Sequence, residues 1–252
     1  MDRRSKNMYI EKTNPLDNIR LFCFPYAGGG ASIFKTWKKK LEGIGVYPLQ
    51  YPGRENRITE QPICEMRTLV DEIYDEIEEC IEETPFVLFG HSLGTKILYE
   101  LALKIYREKN IWPEGVIVSG GRAPNLIEPN PIYDLEDGKF IKELIKKYSS
   151  IPEEIANNKE IMKLFLPALR ADFIIDETYE KSNTDKLGCP IMGLIGENDD
   201  EMTLEDLRKW EGFTTEEFYY ESIKGDHMFI NKKSDEVIAT AKSFIEGLKC
   251  LV

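Results

Sequence analysis

The stretch from residue 86 to 109, FVLFGHSLGTKILYELALKIYREK, constrains the fold more than any other part of the chain. The apolar run Phe86, Val87, Leu88, Phe89 reads as a buried strand that stops at Gly90. After Gly94, apolar residues recur at helical spacing: Ile97, Leu98, Leu101, Ala102, Ile105 and Tyr106. Between strand and helix stands Gly90-His91-Ser92-Leu93-Gly94, which has the spacing of a nucleophile elbow. A serine on so tight a turn is held in strained backbone with its hydroxyl exposed, and side chains two residues to either side would collide. Glycine at both flanks removes the collision. The three fixed positions alone recur by chance in roughly one chain in ten of this length. Their setting between a buried strand and an amphipathic helix is what gives the motif its weight.

Composition narrows the class. The 252 residues suit one α/β domain with a sizeable core, and 42% apolar with 31% charged residues describes an ordinary water-soluble chain. Neither an 18-residue apolar span nor a basic-then-apolar leader is visible, so a membrane helix and a secretory signal are not expected. Five scattered cysteines without a Cys-x-x-Cys pair argue against a disulfide framework and a zinc site, and point to a cytoplasmic, reduced setting. A net charge of -12 disfavours nucleic acid as a partner. Nothing suggests an obligate dimer, so a monomer is expected.

Taken in order, residues 1–18 read as a polar lead-in and 19–252 as a single domain. A first strand over Ile19 to Pro25 ends in Tyr26-Ala27-Gly28-Gly29-Gly30, which lacks the Gly-Lys-Ser/Thr ending of a phosphate-binding loop. In hydrolases with a nucleophile elbow, N–H groups from this early loop and from the residue after the serine form the oxyanion hole. Those donors would be Ala27 and Leu93. A helix from Ser32 to Leu41, a strand from Val46 to Tyr51 and an amphipathic helix over 66–81 precede the elbow. After it, Gly115 to Ser119 reads as a strand. From about 122 to 182 only helical segments follow, near 136–148 and 153–180, interrupted by Pro152 and Pro167. Sixty helical residues between two strands of a parallel sheet suggest a lid over the carboxyl edge, where ligands bind in such sheets. Strands at 190–195 and 218–220, a helix around Thr203 to Trp210 and a last helix at 234–248 complete a mostly parallel, doubly wound α/β sheet of at least six strands.

The search for a base is short, since the chain has two histidines. His91 lies inside the elbow and should point away from the serine hydroxyl, a structural position. His227, in a loop late in the chain, is where the base belongs, because the order in this arrangement is serine, acid, histidine. The acid, which holds the imidazole tautomer and stabilises the imidazolium, is either Asp199 or Asp200 at the end of the preceding strand. Such a site needs no metal and no cofactor.

Several stretches together resemble the external, type II thioesterases that accompany nonribosomal peptide and polyketide synthases, enzymes of the α/β-hydrolase fold. They are FCFPYAGGGASIFKTW, YPGRENRITEQP, FGHSLG, SGGRAPN, LFLPALRADFIIDETY, the GENDD turn followed by Trp210, and GDHMFI. They keep the family's order and cover nearly the whole chain from Ile19. The resemblance places the acid three residues after the strand-end Gly196, which selects Asp199, and carries over Ser92, His227, Ala27 and Leu93. It implies hydrolysis of acyl or aminoacyl thioesters on the phosphopantetheine arm of carrier proteins, clearing misprimed or stalled groups from a synthase. One departure concerns SGGRAPN, where Arg122 stands one position later than the family's arginine, which puts its role in doubt. Carrier proteins of this kind are acidic, as is this chain, so docking through a local basic patch is expected, at Lys142, Lys146 and Lys147 or at Lys38 to Lys40. The rival readings are a small-ester carboxylesterase or lipase, and a non-catalytic carrier-binding module.

Overall fold

Six short runs form one sheet, and the four inner ones are rich in Val, Ile, Leu and Phe. The structure, a computed structural model, describes residues 10, 14, 16–148, 158–181 and 185–249. The strands are β1 (Arg20–Phe24), β2 (Gly45–Pro48), β3 (Phe86–His91), β4 (Gly115–Ser119), β5 (Ile191–Gly196) and β6 (Phe218–Ile223). Their spatial order is β2-β1-β3-β4-β5-β6 and every neighbouring pair is parallel. β1, β3, β4 and β5 are buried on both faces, which is why their sequences are apolar runs rather than alternations. The expected mostly parallel, doubly wound sheet is therefore observed, without any antiparallel strand among the described residues.

Two cores flank the sheet. On one face pack α2 (Met66–Glu83), α3 (Leu93–Lys109) and α6 (Leu204–Arg208), with Leu69, Ile73, Ile97, Leu101 and Leu207 among the buried residues. On the other lie α1 (Trp37–Lys40), α7 (Phe229–Lys232) and α8 (Ser234–Lys249), through Trp37, Phe229, Val237, Ala241 and Ile245. Between β4 and β5 the chain departs into α4 (Asp137–Tyr148) and α5 (Lys159–Glu177), whose own small core joins Ile132, Phe140, Leu144 and Phe173.

Several expectations change at element ends. The helix read over Ser32 to Leu41 is split into a 3-10 turn, Ala31–Phe34, and the single turn of α1, with Phe34 and Trp37 both buried. β2 stops at Pro48 rather than Tyr51, and β6 continues past Tyr220 to Ile223. Pro167 does not interrupt its helix: α5 runs through it. The carbonyl that loses its partner belongs to Lys163, on an exposed face where water can serve it. Pro152 lies outside the described residues.

Candidate active site

The elbow exists because two glycines allow it. Ser92 sits between β3 and α3 at φ 52°, ψ -119°, a left-handed backbone that costs a non-glycine residue about 1–3 kcal/mol. A Cβ on Gly90 would stand 2.4 Å from the carbonyl of Gly94, and one on Gly94 would stand 2.3 Å from the carbonyl oxygen of Phe24. The turn is tied down by Ser92 N–H donating to Ser119 O at 2.8 Å and Thr95 Oγ1 donating to Ser92 O at 2.7 Å.

Four loops at the carboxyl edge of the sheet converge on this turn, following β1, β3, β5 and β6. Ser92 Oγ lies 3.2 Å from His227 Nε2, and His227 Nδ1 lies 3.0 Å from Asp199 Oδ2 and 3.2 Å from Oδ1. The Asp199 side chain is fully buried. Its Oδ1 also accepts from the N–H groups of Glu201 at 3.0 Å and Met202 at 3.3 Å, so the carboxylate is fixed before the imidazole reaches it. Asp200 is exposed, so of the two aspartates in the turn it is Asp199 that faces the imidazole. Burial alone would lower the His227 pKa. The hydrogen bond and charge of Asp199, with Glu201 and Asp176 adding at longer range, raise it above its ordinary 6.5. A hydroxyl, an imidazole and a buried carboxylate in hydrogen-bonded series can activate the hydroxyl for attack on a carbonyl carbon.

His91 has a different part. Its Nε2 lies 3.0 Å from the carbonyl oxygen of His227 and its Nδ1 2.9 Å from Ser119 Oγ. A carbonyl can only accept, so Nε2 carries the proton and Nδ1 accepts from the serine hydroxyl. Burial, then the neighbouring His227, push the His91 pKa well below the usual histidine value, so the ring stays neutral. The elbow histidine thus faces away from Ser92 Oγ and holds the backbone of the other histidine.

The loop after β1 brings Ala27 beside Ser92 in a cavity of about 160 Å³ whose apolar walls are Leu144, Leu169 and Phe173. Among the described residues neither the Ala27 nor the Leu93 N–H has a protein acceptor. The next residue, Gly28, donates its N–H to Asp172 Oδ2 on α5 at 2.7 Å. Asp172 also receives a two-pronged contact from Arg54, with Nη2 to Oδ1 at 2.8 Å, and both side chains are buried. This buried pair was not singled out from the sequence, although both partners fall in the family-like stretches YPGRENR and PALRADF. Arg122 bonds Glu128 Oε2 at 3.1 Å and the Glu201 carbonyl, and Trp210 donates to Gly121 O at 2.8 Å. A larger depression of about 650 Å³ lies over α2 and α3 and touches none of Ser92, Asp199 and His227.

A family model described as a thioesterase domain matches residues 19–245. The chain is a member of the thioesterase family. By family and fold this thioesterase is a hydrolase. It is 38% identical over 227 residues to the gramicidin S biosynthesis protein GrsT of Aneurinibacillus migulanus, covering 89% of this chain and 88% of that protein. Among solved structures it is similar to ClbQ from the colibactin NRPS/PKS pathway, at TM-score 0.86 and 30% identity over 93% of this chain and all of that one. It is also similar to the RedJ thioesterase of the prodiginine pathway in Streptomyces coelicolor, at TM-score 0.84 and 31% identity over 96% of this chain and 91% of that one. Among the described residues of this thioesterase, no helix is long and apolar enough to cross a membrane.

Proposed function

We propose that this chain hydrolyses acyl and aminoacyl thioesters on the phosphopantetheine arm of carrier proteins, and so clears misprimed or stalled groups from a nonribosomal peptide or polyketide synthase. The observation that carries the reading is the hydrogen-bonded series Ser92, His227, Asp199 opening into a cavity walled by α4 and α5. The pathways named for its relatives supply the substrate class.

In this mechanism His227 Nε2 takes the Ser92 proton as Oγ attacks the thioester carbonyl. Asp199 holds the imidazole by Nδ1 and stabilises the imidazolium. The N–H groups of Leu93, at the start of α3, and Ala27 receive the oxyanion, a contribution typically worth on the order of 10² to 10³ in rate per donor. Collapse releases the pantetheine thiol, which takes the proton from His227, and leaves an acyl-serine. Water, deprotonated by His227, then releases the acid and restores Ser92. In this reading α4 and α5 are the lid that bounds the acyl cavity, within a single domain over 19–252, and the enzyme works as a monomer in the cytoplasm. Lys142 and Lys146, exposed on α4, are the docking cations for an acidic carrier, with Lys146 lying 3.5 Å from Glu143; Lys38 to Lys40 are the alternative patch, Lys40 being paired with Asp235, and the Lys147 side chain lies outside the described residues.

The test compares wild type and Ser92→Ala on an acetyl group presented on a phosphopantetheinylated carrier protein and on p-nitrophenol. The carrier thioester should be cleaved with much the higher kcat/KM, and the variant should be inactive on both. Preference for the simple ester would replace this reading with that of a small-ester esterase, and failure of Ser92 to label with a fluorophosphonate would remove catalysis altogether.

A further inference from the structure

One helical turn beyond Ser92, α3 carries a lysine where its face is otherwise apolar. Lys96 is 8% exposed, and its Nζ donates to Asp176 Oδ1 at 2.6 Å and to the Asp176 carbonyl at 2.7 Å. Burying an ammonium is costly unless it is paired and hydrogen-bonded, and these acceptors on α5 meet that requirement. Neither member of the pair is needed by the proton path through Ser92, His227 and Asp199.

Asp176 stands where two cavities meet. It lines the apolar cavity of about 160 Å³ and also a second, polar one of about 40 Å³, and both are bounded by Ser92 and His227. Within the polar cavity the cations are committed: Arg122 to Glu128 and the Glu201 carbonyl, Lys96 to Asp176. Its wall holds three carboxylates (Glu128, Asp176, Glu201) against two cations (Lys96, Arg122), a formal excess of one negative charge. The Asp176 side chain keeps 19% of its surface exposed, and among the described residues its Oδ2 accepts no hydrogen bond. An anchored carboxylate with an unused acceptor thus lines a small, net negative space beside Ser92.

We infer that Asp176 selects aminoacyl over plain acyl groups by binding the α-ammonium of the thioester, with Lys96 holding the carboxylate in place. Standard bond lengths put that nitrogen about 2.5 Å from the carbonyl carbon attacked by Ser92 Oγ. It must therefore sit in the immediate surroundings of the hydroxyl, where Asp176 lies. A space of about 40 Å³ exceeds the ~10–15 Å³ that a group of water size needs, and an ammonium is of that size. The amino-acid side chain then points into the apolar cavity against Leu144, Leu169 and Phe173. The inference rests on the thioesterase reading and names what that site prefers.

The experiment uses alanyl- and propionyl-pantetheine thioesters, which differ only in the ammonium, and reads the ratio of their kcat/KM values. Wild type should favour alanyl. Asp176→Asn should lower the ratio about tenfold or more, the weight of a charge-assisted hydrogen bond. Lys96→Met, which removes the group that holds the carboxylate, should lower it by a smaller factor. A merely structural pair would move both substrates together. A ratio that stays put in Asp176→Asn, or that rises in Lys96→Met, overturns the inference while leaving hydrolysis of propionyl thioester standing. A wild type that cleaves neither thioester refutes the thioesterase reading, and this inference with it.

Discussion

Arg54→Met tests how α5 is fastened over the site. The Arg54 and Asp172 side chains are 5% and 3% exposed, bonded through two prongs, and Arg54 also stands 5.4 Å above the Tyr51 ring centroid. Methionine keeps most of the aliphatic bulk and removes the charge, so Asp172 is left as a buried anion with the Gly28 N–H as its remaining hydrogen-bond donor. Breaking a buried pair from one side costs about 3–5 kcal/mol. For a chain of 252 residues the unfolding entropy near the midpoint is roughly 0.5 kcal/mol/K, so Tm should fall by about 6–10 °C. The double variant Arg54→Met/Asp172→Asn removes the orphaned charge yet keeps an acceptor for Gly28, and should recover all but about 2 kcal/mol. Calorimetry and urea midpoints on the wild type and these variants read both numbers. If the single variant loses less than about 2 °C, or the double is no more stable than the single, the charge is being hydrated and the buried-pair argument fails. Kinetics on the same proteins carry a second reading: Ala27 precedes Gly28, so loosening Asp172 should reduce kcat more than it raises KM.

Three further outcomes follow from the geometry. The proposed mechanism uses His227 as a neutral base, so the acid limb of the kcat/KM profile should lie above pH 6.5. Asp199→Asn should move that limb downward, because burial then acts without the opposing charge, and should lower kcat on the order of 10³–10⁴-fold; a limb that stays in place would show that Asp199 does not set it. Gly90→Ala forces a Cβ to 2.4 Å from the Gly94 backbone, so it should cost about 1–3 kcal/mol in urea unfolding and lower activity by more than that stability loss accounts for. In hydrogen exchange, amides of α5 around Phe173 to Glu177 should be protected more strongly than those of α4 around Phe140 to Leu144, and the reverse order would contradict the anchoring described below.

The backbone of the site was legible because its chemistry leaves marks within a few residues. Gly90 and Gly94 bracket Ser92 and two histidines left little choice of base, whereas the residues themselves left Asp199 and Asp200 open and only the family resemblance selected Asp199. Periodicity likewise disclosed all six strands and the long helices. What stayed hidden depends on contacts between distant segments. Arg54 meets Asp172 across 118 positions and Lys96 meets Asp176 across 80, and a lone charged residue in an apolar stretch does not announce its partner. His91 was readable as turned away from the serine, but its bond to the His227 carbonyl, 136 positions away, was not. Pro167 misled for a related reason: the rule that proline ends a helix assumes that the freed carbonyl has nowhere to go, and on the exposed side of α5 water takes it.

The anchoring of α5 also decides which part of the insertion can open. Asp172 is held by Arg54 and the Gly28 N–H, Asp176 by Lys96, and Glu177 Oε2 accepts the N–H groups of Ile132 and Tyr133 at 2.7 Å each. Lifting this end of α5 would break two ion pairs and strip acceptors from buried donors, each orphaned group costing about 1–3 kcal/mol, more where charged. α4 is attached differently: Phe140 packs edge-on against Phe173 at 5.4 Å between centroids, Leu144 closes the acyl cavity, and Asp137 bonds Arg170 from an exposed position. Those contacts are mostly apolar and re-form without geometric demand. A substrate that needs the cavity opened should therefore displace α4 and leave α5 as a wall that carries Asp172 and Asp176, an order the hydrogen-exchange comparison checks. A fixed wall is what discrimination by a carboxylate requires, because a charge on a moving flap would be hydrated each time the site opened.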